Sequence, residues 1–220
     1  RLIPLLSRSF PQVHFIDQRN ELVLKDYSHV AAQERLAYWY GHDDEAIAAS
    51  FLPLIPPAGI NDSRGIGLAW YSRALGKTLP SLEDWGAALT GWNGRLQSLQ
   101  YRAEDAGFRQ LCALAGRPIK SARRVDQIQS LDDFAAQIAG LRGVLTISNT
   151  TPHMAGALGI PRVLALDNGI VTTWPYESST TPFYPYSRLV RRGEGSWLEA
   201  LQRGRAELLR MVTGPAPSSP

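Results

Sequence analysis

Val144-Leu145-Thr146-Ile147-Ser148-Asn149-Thr150-Thr151-Pro152-His153-Met154-Ala155-Gly156-Ala157-Leu158-Gly159-Ile160-Pro161 is the stretch on which the reading of this chain turns. It opens as an apolar, β-branched run of strand length. Small polar residues from Ser148 to Thr151 interrupt the run, and Thr151-Pro152 sets a capping hydroxyl before a proline at a first helical position. Gly159 and Pro161 end that helix after about two turns. A buried strand that turns directly into a helix gathers free amides at one point. With the hydroxyls of Thr150 and Thr151 and the imidazole of His153, that point reads as a cradle for phosphate. Small residues at Ala155, Gly156 and Ala157 let the helix come close to a neighbour or a ligand. Taken alone, the same stretch also fits a capped structural helix whose His153 merely satisfies its loop.

Working outward, further apolar runs of strand length stand at Ile66 to Trp70, Leu96 to Leu99, Val163 to Leu166 and Ser187 to Val190. Between them, Ser81 with Asp84, Ser130 with Asp133 and Ser196 with Glu199 mark three helix starts by a capping hydroxyl and a first-turn carboxylate. Strands separated by helical stretches predict crossover units, hence an α/β, Rossmann-like parallel sheet with helices on both faces. Pro53, Pro56, Pro57 and Gly59 break the chain before this alternation begins. We therefore expect residues 1–59 to be the end of an N-terminal lobe with its linker, 60–213 the sheet domain, and 214–220 a disordered tail. In the first part, Leu2 to Phe10, Ala31 to Tyr40 and Asp43 to Phe51 read as helices and Val13 to Ile16 as a strand.

Composition narrows the function classes. Of 220 residues 44% are hydrophobic and 20% charged, which suits a chain with a sizeable core and excludes fibrous and wholly disordered classes. The net charge of +3 is small and its basic residues are scattered. Arg123-Arg124 and Arg188, Arg191 and Arg192 form minor clusters without a nucleic-acid reader module, so no nucleic-acid partner is expected. The single Cys112 forms no intrachain disulfide, and the four histidines have no metal-ligand spacing. No metal or cofactor is predicted. There is no apolar run long enough for a membrane span and no signal-peptide pattern at Arg1, so the expectation is a cytoplasmic chain, and a fragment for want of an initiator Met.

Three motifs compete for the chemistry. Gly65-Ile66-Gly67-Leu68-Ala69-Trp70 lacks the last glycine of a dinucleotide fingerprint. Tyr71-Ser72-Arg73-Ala74-Leu75-Gly76-Lys77-Thr78 is one residue short of a Walker A loop, and Pro80 with the Ser81 cap puts the helix start beyond Lys77, unlike a P-loop. An ATPase would need magnesium and Thr78. Lys77 instead follows the carboxyl end of a strand, where open α/β sheets collect ligands, and its ammonium suits an anion, although a solvated surface lysine has the same pattern. Residues 168–185 carry Trp174-Pro175-Tyr176 and Pro182-Phe183-Tyr184-Pro185, long for a connection and able to line a site or to cap a satellite core. A hydrolase triad finds no Gly-x-Ser-x-Gly elbow, and His14, His29 and His42 all precede the proline break.

Together these pieces resemble the C-terminal half of GT-B glycosyltransferases, in particular heptosyltransferase-like domains that also occur behind tetratricopeptide repeats. The resemblance spans roughly Gly65 to Val212 and rests on Gly67 to Trp70 with Lys77, Ser98-Leu99-Gln100, Leu131 to Ile138, the block Ile147 to Pro161, and Trp174 followed by Pro182 to Pro185. It implies a nucleotide-diphospho-sugar site that takes a UDP-, ADP- or GDP-linked donor without a metal. Lys77 and His153 would act on the diphosphate as catalytic residues. Ser72, Gln100, Ser148, Asn149, Thr150, Thr151, Met154 and Trp174 would bind the substrate. The acceptor's general base would come from an N-terminal lobe, with that lobe or tetratricopeptide repeats as partners. Relatives carry an Asp-Thr pair where this chain has Ser148-Asn149, which keeps open a noncatalytic interaction or scaffold domain that retains the fold.

Overall fold

The computed structural model describes the chain except residues 18, 21–23, 33–42, 59–63, 75, 105, 122–124, 170–173 and 215–220. Most of the helix expected at 31–40, Arg123, Arg124, His42, Gly59 and nearly all of the expected tail lie outside the described residues.

Five strands form one parallel sheet: β1 (Ile66–Ala69), β2 (Leu96–Ser98), β3 (Gly143–Ile147), β4 (Arg162–Leu166) and β5 (Ser187–Arg191). Their order is β2-β1-β3-β4-β5, every neighbouring pair parallel. The α/β architecture expected from the alternation is thus present. The order reverses between β1 and β3, which makes the crevice beyond their carboxyl ends the natural ligand position of such a sheet.

Seven α-helices accompany it among the described residues: α1 (Ile3–Ser9), α2 (Asp44–Ala49), α3 (Leu82–Leu89), α4 (Phe108–Leu114), α5 (Leu131–Ala139), α6 (Thr150–Ala157) and α7 (Trp197–Thr213). The three serine starts hold. Ser81 and Ser196 form full capping boxes with Asp84 and Glu199, and Ser130 accepts from the Asp133 amide. Each such cap satisfies an amide that the helix itself leaves open.

Alternation along the strands divides the core. Leu68, Leu145 and Val163 face Trp85 and Leu89 of α3, Leu111 of α4 and Leu201 and Leu208 of α7. Ala69 and Val144 face Phe134 and Ile138 of α5, Ala155 of α6 and Leu5 of α1. Period-two side chains buried on both sides are what a covered parallel sheet requires. Gly67 permits the second layer's closeness: a Cβ there would lie 2.4 Å from Leu99 Cδ1.

The N-terminal segment leans on this domain. Leu5 is fully buried, Arg8 pairs with Asp132 of α5, and the Leu54 amide donates to the Ala157 carbonyl at 2.7 Å. Two local expectations are corrected. Val13 to Ile16 is not a strand: Val13 and Ile16 are exposed, and none of the five paired strands includes this segment. The cap of α6 is Asn149 rather than Thr151, because Asn149 has extended backbone and its Oδ1 accepts from the Thr151 amide at 2.9 Å.

Candidate functional site

The loop after β1 owes its course to a buried glutamine. Gln100 Oε1 accepts from the amides of Trp70 and Tyr71 at 3.0 and 2.9 Å, and its Nε2 donates to the carbonyls of Tyr71 and Tyr101 at 3.2 and 3.1 Å. Asn149 Nδ2 donates to the same Tyr71 carbonyl at 3.3 Å, and Ser72 Oγ accepts from the Ala74 amide. Side-chain amides thus stitch the β1 loop to the ends of β2 and β3. The stitching brings Lys77 across: its Nζ donates to the Ser148 carbonyl at 2.6 Å. Burial pulls the Lys77 pKa below the ordinary lysine value. An ammonium half out of water and bound to one carbonyl keeps two N–H donors for an anion.

Ser148 joins this cation to the imidazole. Its Oγ accepts from Trp174 Nε1 at 3.0 Å, and the Trp174 ring stacks on His153 with centroids 4.7 Å apart and planes inclined by 17°. His153 Nδ1 lies 3.3 Å from the Tyr184 hydroxyl. Burial first, then the Arg162 and Lys77 charges, hold the His153 pKa below the ordinary imidazole value, so the ring is neutral at pH 7. Lys77 and His153, far apart in sequence, are therefore linked through Ser148 and Trp174 near the start of α6. Among its first amides, Thr151's is taken by Asn149 and Pro152 has none, which leaves that of Thr150 at the positive end of the helix.

A cavity of about 120 Å³ opens beside this group, between Gly76, Lys77, Thr78 and Leu79 on one side and Ile147, Ser148, Ala165, Leu166, Asp167, Gly169 and Trp197 on the other. It is apolar at its floor and polar at its rim. At the rim burial raises the Asp167 pKa, but the Asn168 amide, the Arg192 side chain and Thr78 hydrogen-bond to the carboxylate and leave it below the ordinary value.

The other expected site residues take different places. Thr150 is exposed at the helix start, while Thr151 is buried. Met154 turns away, into the core with Leu5, Phe134 and Leu158. Gln100 and Asn149 spend their amides on backbone, which makes them builders of the loop. Lys77 precedes the α3 start at Leu82 and does not open the helix, so its position departs from that of a P-loop lysine. Sequence reasoning passed over Arg162 and Asp167 and named Tyr184 only as part of the stretch Pro182 to Pro185. An arginine inside the apolar run Ile160 to Leu166 was the signal for the first of them. Among the described residues no group of three His, Cys, Asp or Glu side chains converges as a metal site needs, and no helix is long and apolar enough to cross a membrane.

No protein family and no curated protein matches the sequence. Among solved structures the chain is similar to the E. coli heptosyltransferase WaaC with ADP, at 17% identity and a TM-score of 0.51, over 84% of this chain and 53% of that one. It is also similar to the glycosyl transferase family 9 from Veillonella parvula DSM 2008, at 12% identity and a TM-score of 0.48, over 66% of this chain and 45% of that one. The chain thus spans about half the length of each. The likeness to the heptosyltransferase is one of fold. At that level it bears out the resemblance that the block from Ile147 to Pro161 carries: this is a glycosyltransferase-fold domain with a Rossmann-like sheet.

Proposed function

We propose that this domain binds a nucleotide-diphospho-sugar, with the diphosphate between the Lys77 ammonium, the amides at the start of α6 and the His153 ring, and the nucleoside toward the cavity under Gly76 to Leu79. The observation that carries the reading is the meeting of Lys77 with Ser148, one turn from His153, at the switch point of the sheet. Cleavage of the sugar–phosphate bond leaves negative charge on the β-phosphate. A fixed cation, oriented amides and a neutral imidazole N–H stabilise that charge as it develops, without reorganising. Transfer to an acceptor hydroxyl needs a base, which in this reading comes from a second lobe. ADP is the first ligand to try, since the similar heptosyltransferase was solved with it.

A noncatalytic reading draws on one observation: Asn149 stands at the helix start with its side chain bound to the Thr151 amide and the Tyr71 carbonyl, so no carboxylate occupies that place. A domain of this kind would bind the donor and not turn it over. The test is a melting panel with UDP, ADP, GDP and their sugars, followed by a transfer and donor-hydrolysis assay on the full-length protein. A ligand at about 100 times its Kd raises stability by about 2.7 kcal/mol. One winning nucleotide with transfer supports the enzyme, one winner without turnover supports the scaffold, and no winner at millimolar concentration rejects both.

A further inference from the structure

Arg162 opens β4 with a fully buried guanidinium, and none of its three nitrogens has a hydrogen-bond partner. It is held by shape and by a ring. A Cβ built on Gly156 would lie 2.3 Å from Arg162 Nη1, so the glycine in mid-helix α6 is the space the guanidinium fills. On its other side Arg162 Cζ lies 4.5 Å from the centroid of the Tyr184 ring. The Tyr184 hydroxyl reaches His153 Nδ1 at 3.3 Å, and Trp174 covers a face of the imidazole. Arg162, Tyr184, His153 and Trp174 thus form one continuous chain of contacts, with the Tyr184 ring edge-on to the imidazole.

A cation on the face of a phenol draws electron density from the ring, which makes its O–H a stronger donor and its oxygen a poorer acceptor. A neutral imidazole has one N–H and one lone pair, and the partner of one nitrogen fixes the role of the other. We infer that Arg162 and Tyr184 are positioning residues that hold His153 in the neutral tautomer protonated on Nε2, with Tyr184 donating to Nδ1. That Nε2–H then meets a diphosphate oxygen rests on the function proposed above; the tautomer itself does not. The charged and titratable groups around the ring are Arg162, Lys77 and Tyr184, and both cations oppose its protonation. The phenol stays protonated because burial raises its pKa, an effect that Arg162 only partly offsets.

The test is nitrogen NMR of the histidine-labelled chain at neutral pH, with His153 assigned by the loss of its signals in His153→Gln. The expected result is a pyridine-type Nδ1 and a pyrrole-type Nε2, giving way to a mixture of both tautomers in Tyr184→Phe, which keeps the ring beneath Arg162. In Arg162→Met the midpoint of the His153 titration rises. ADP affinity falls about fivefold in Tyr184→Phe, the scale of one hydrogen bond, while adenosine affinity is unchanged. A pyrrole-type Nδ1 in the parent chain, or an unchanged tautomer in Tyr184→Phe, overturns the inference even if ADP binds. The Nε2–H tautomer without any ADP binding supports it and overturns the donor site instead.

Discussion

The Lys77 ammonium donates to the carbonyl of Ser148, 71 residues away in sequence and 2.6 Å away in space. A flexible side chain at the tip of one crossover is thereby tied to the backbone that ends the adjoining strand, and its charge is aimed before any ligand arrives. Preorganisation of this kind reduces the entropy lost on binding. The tie itself adds little to folding, because the amine gives up water to gain one bond. Lys77→Met should therefore leave the urea midpoint of unfolding almost unmoved, within about 1 kcal/mol, while abolishing the melting shift produced by a nucleoside diphosphate. A large loss of stability would mean that the lysine is a structural strut.

Gln100 carries a heavier structural load. Replacing it by Leu leaves the amides of Trp70 and Tyr71 without their acceptor. The expected cost is about 2–4 kcal/mol by chemical denaturation, with ligand affinity reduced as the Lys77 loop loosens. Hydrogen exchange at those two amides reads the same event directly and should quicken.

Acid weakens the fold through His153. Its native pKa lies below the unfolded value of 6.5, so as pH falls past that value the unfolded chain takes a proton that the native ring refuses. Stability is fully present above pH 6.5 and declines toward the depressed native value, by at most about 1.4 kcal/mol per pH unit for this one group. Melting curves from pH 7.5 to pH 5 should slope downward, and His153→Gln should flatten the part of the slope just below neutrality. An identical slope in that variant would contradict the assignment.

The N-terminal helix is part of the same packed unit. Leu5 is fully buried against Phe134 and Ile138, so Leu5→Ala should cost about 2–5 kcal/mol in the unfolding of the sheet domain. An unchanged midpoint would show that α1 docks without contributing to the core.

Much of this fold is written in local chemistry. Capping serines at 81, 130 and 196 and apolar runs near 66, 96, 144, 163 and 187 locate helices and strands because each signal acts over a few residues. The cap of α6 was misplaced by two residues for a related reason: Ser148, Asn149, Thr150 and Thr151 are all competent caps, and only the backbone conformation at Asn149 selects among them. Val13 to Ile16 has strand character but stands exposed and outside the sheet, an outcome no local pattern contains. Residues of the site separate in the same way. Lys77 and His153 are legible as candidates because a cation after one strand and a helix start after another are where such a topology gathers ligands. Arg162 is not, since its role depends on Gly156 and Tyr184 meeting it from two other elements. Met154 shows the converse: it follows His153 directly in sequence, but helical periodicity turns it into the core.

The most direct test is calorimetric titration of ADP, UDP and GDP into the parent chain, Lys77→Ala and His153→Ala, with the matching nucleosides as controls. The account predicts that one diphosphate binds saturably, that each substitution weakens it about tenfold or more, and that nucleoside binding is indifferent to both. A diphosphate affinity that neither substitution alters, or no binding of any of the three at millimolar concentration, would contradict it.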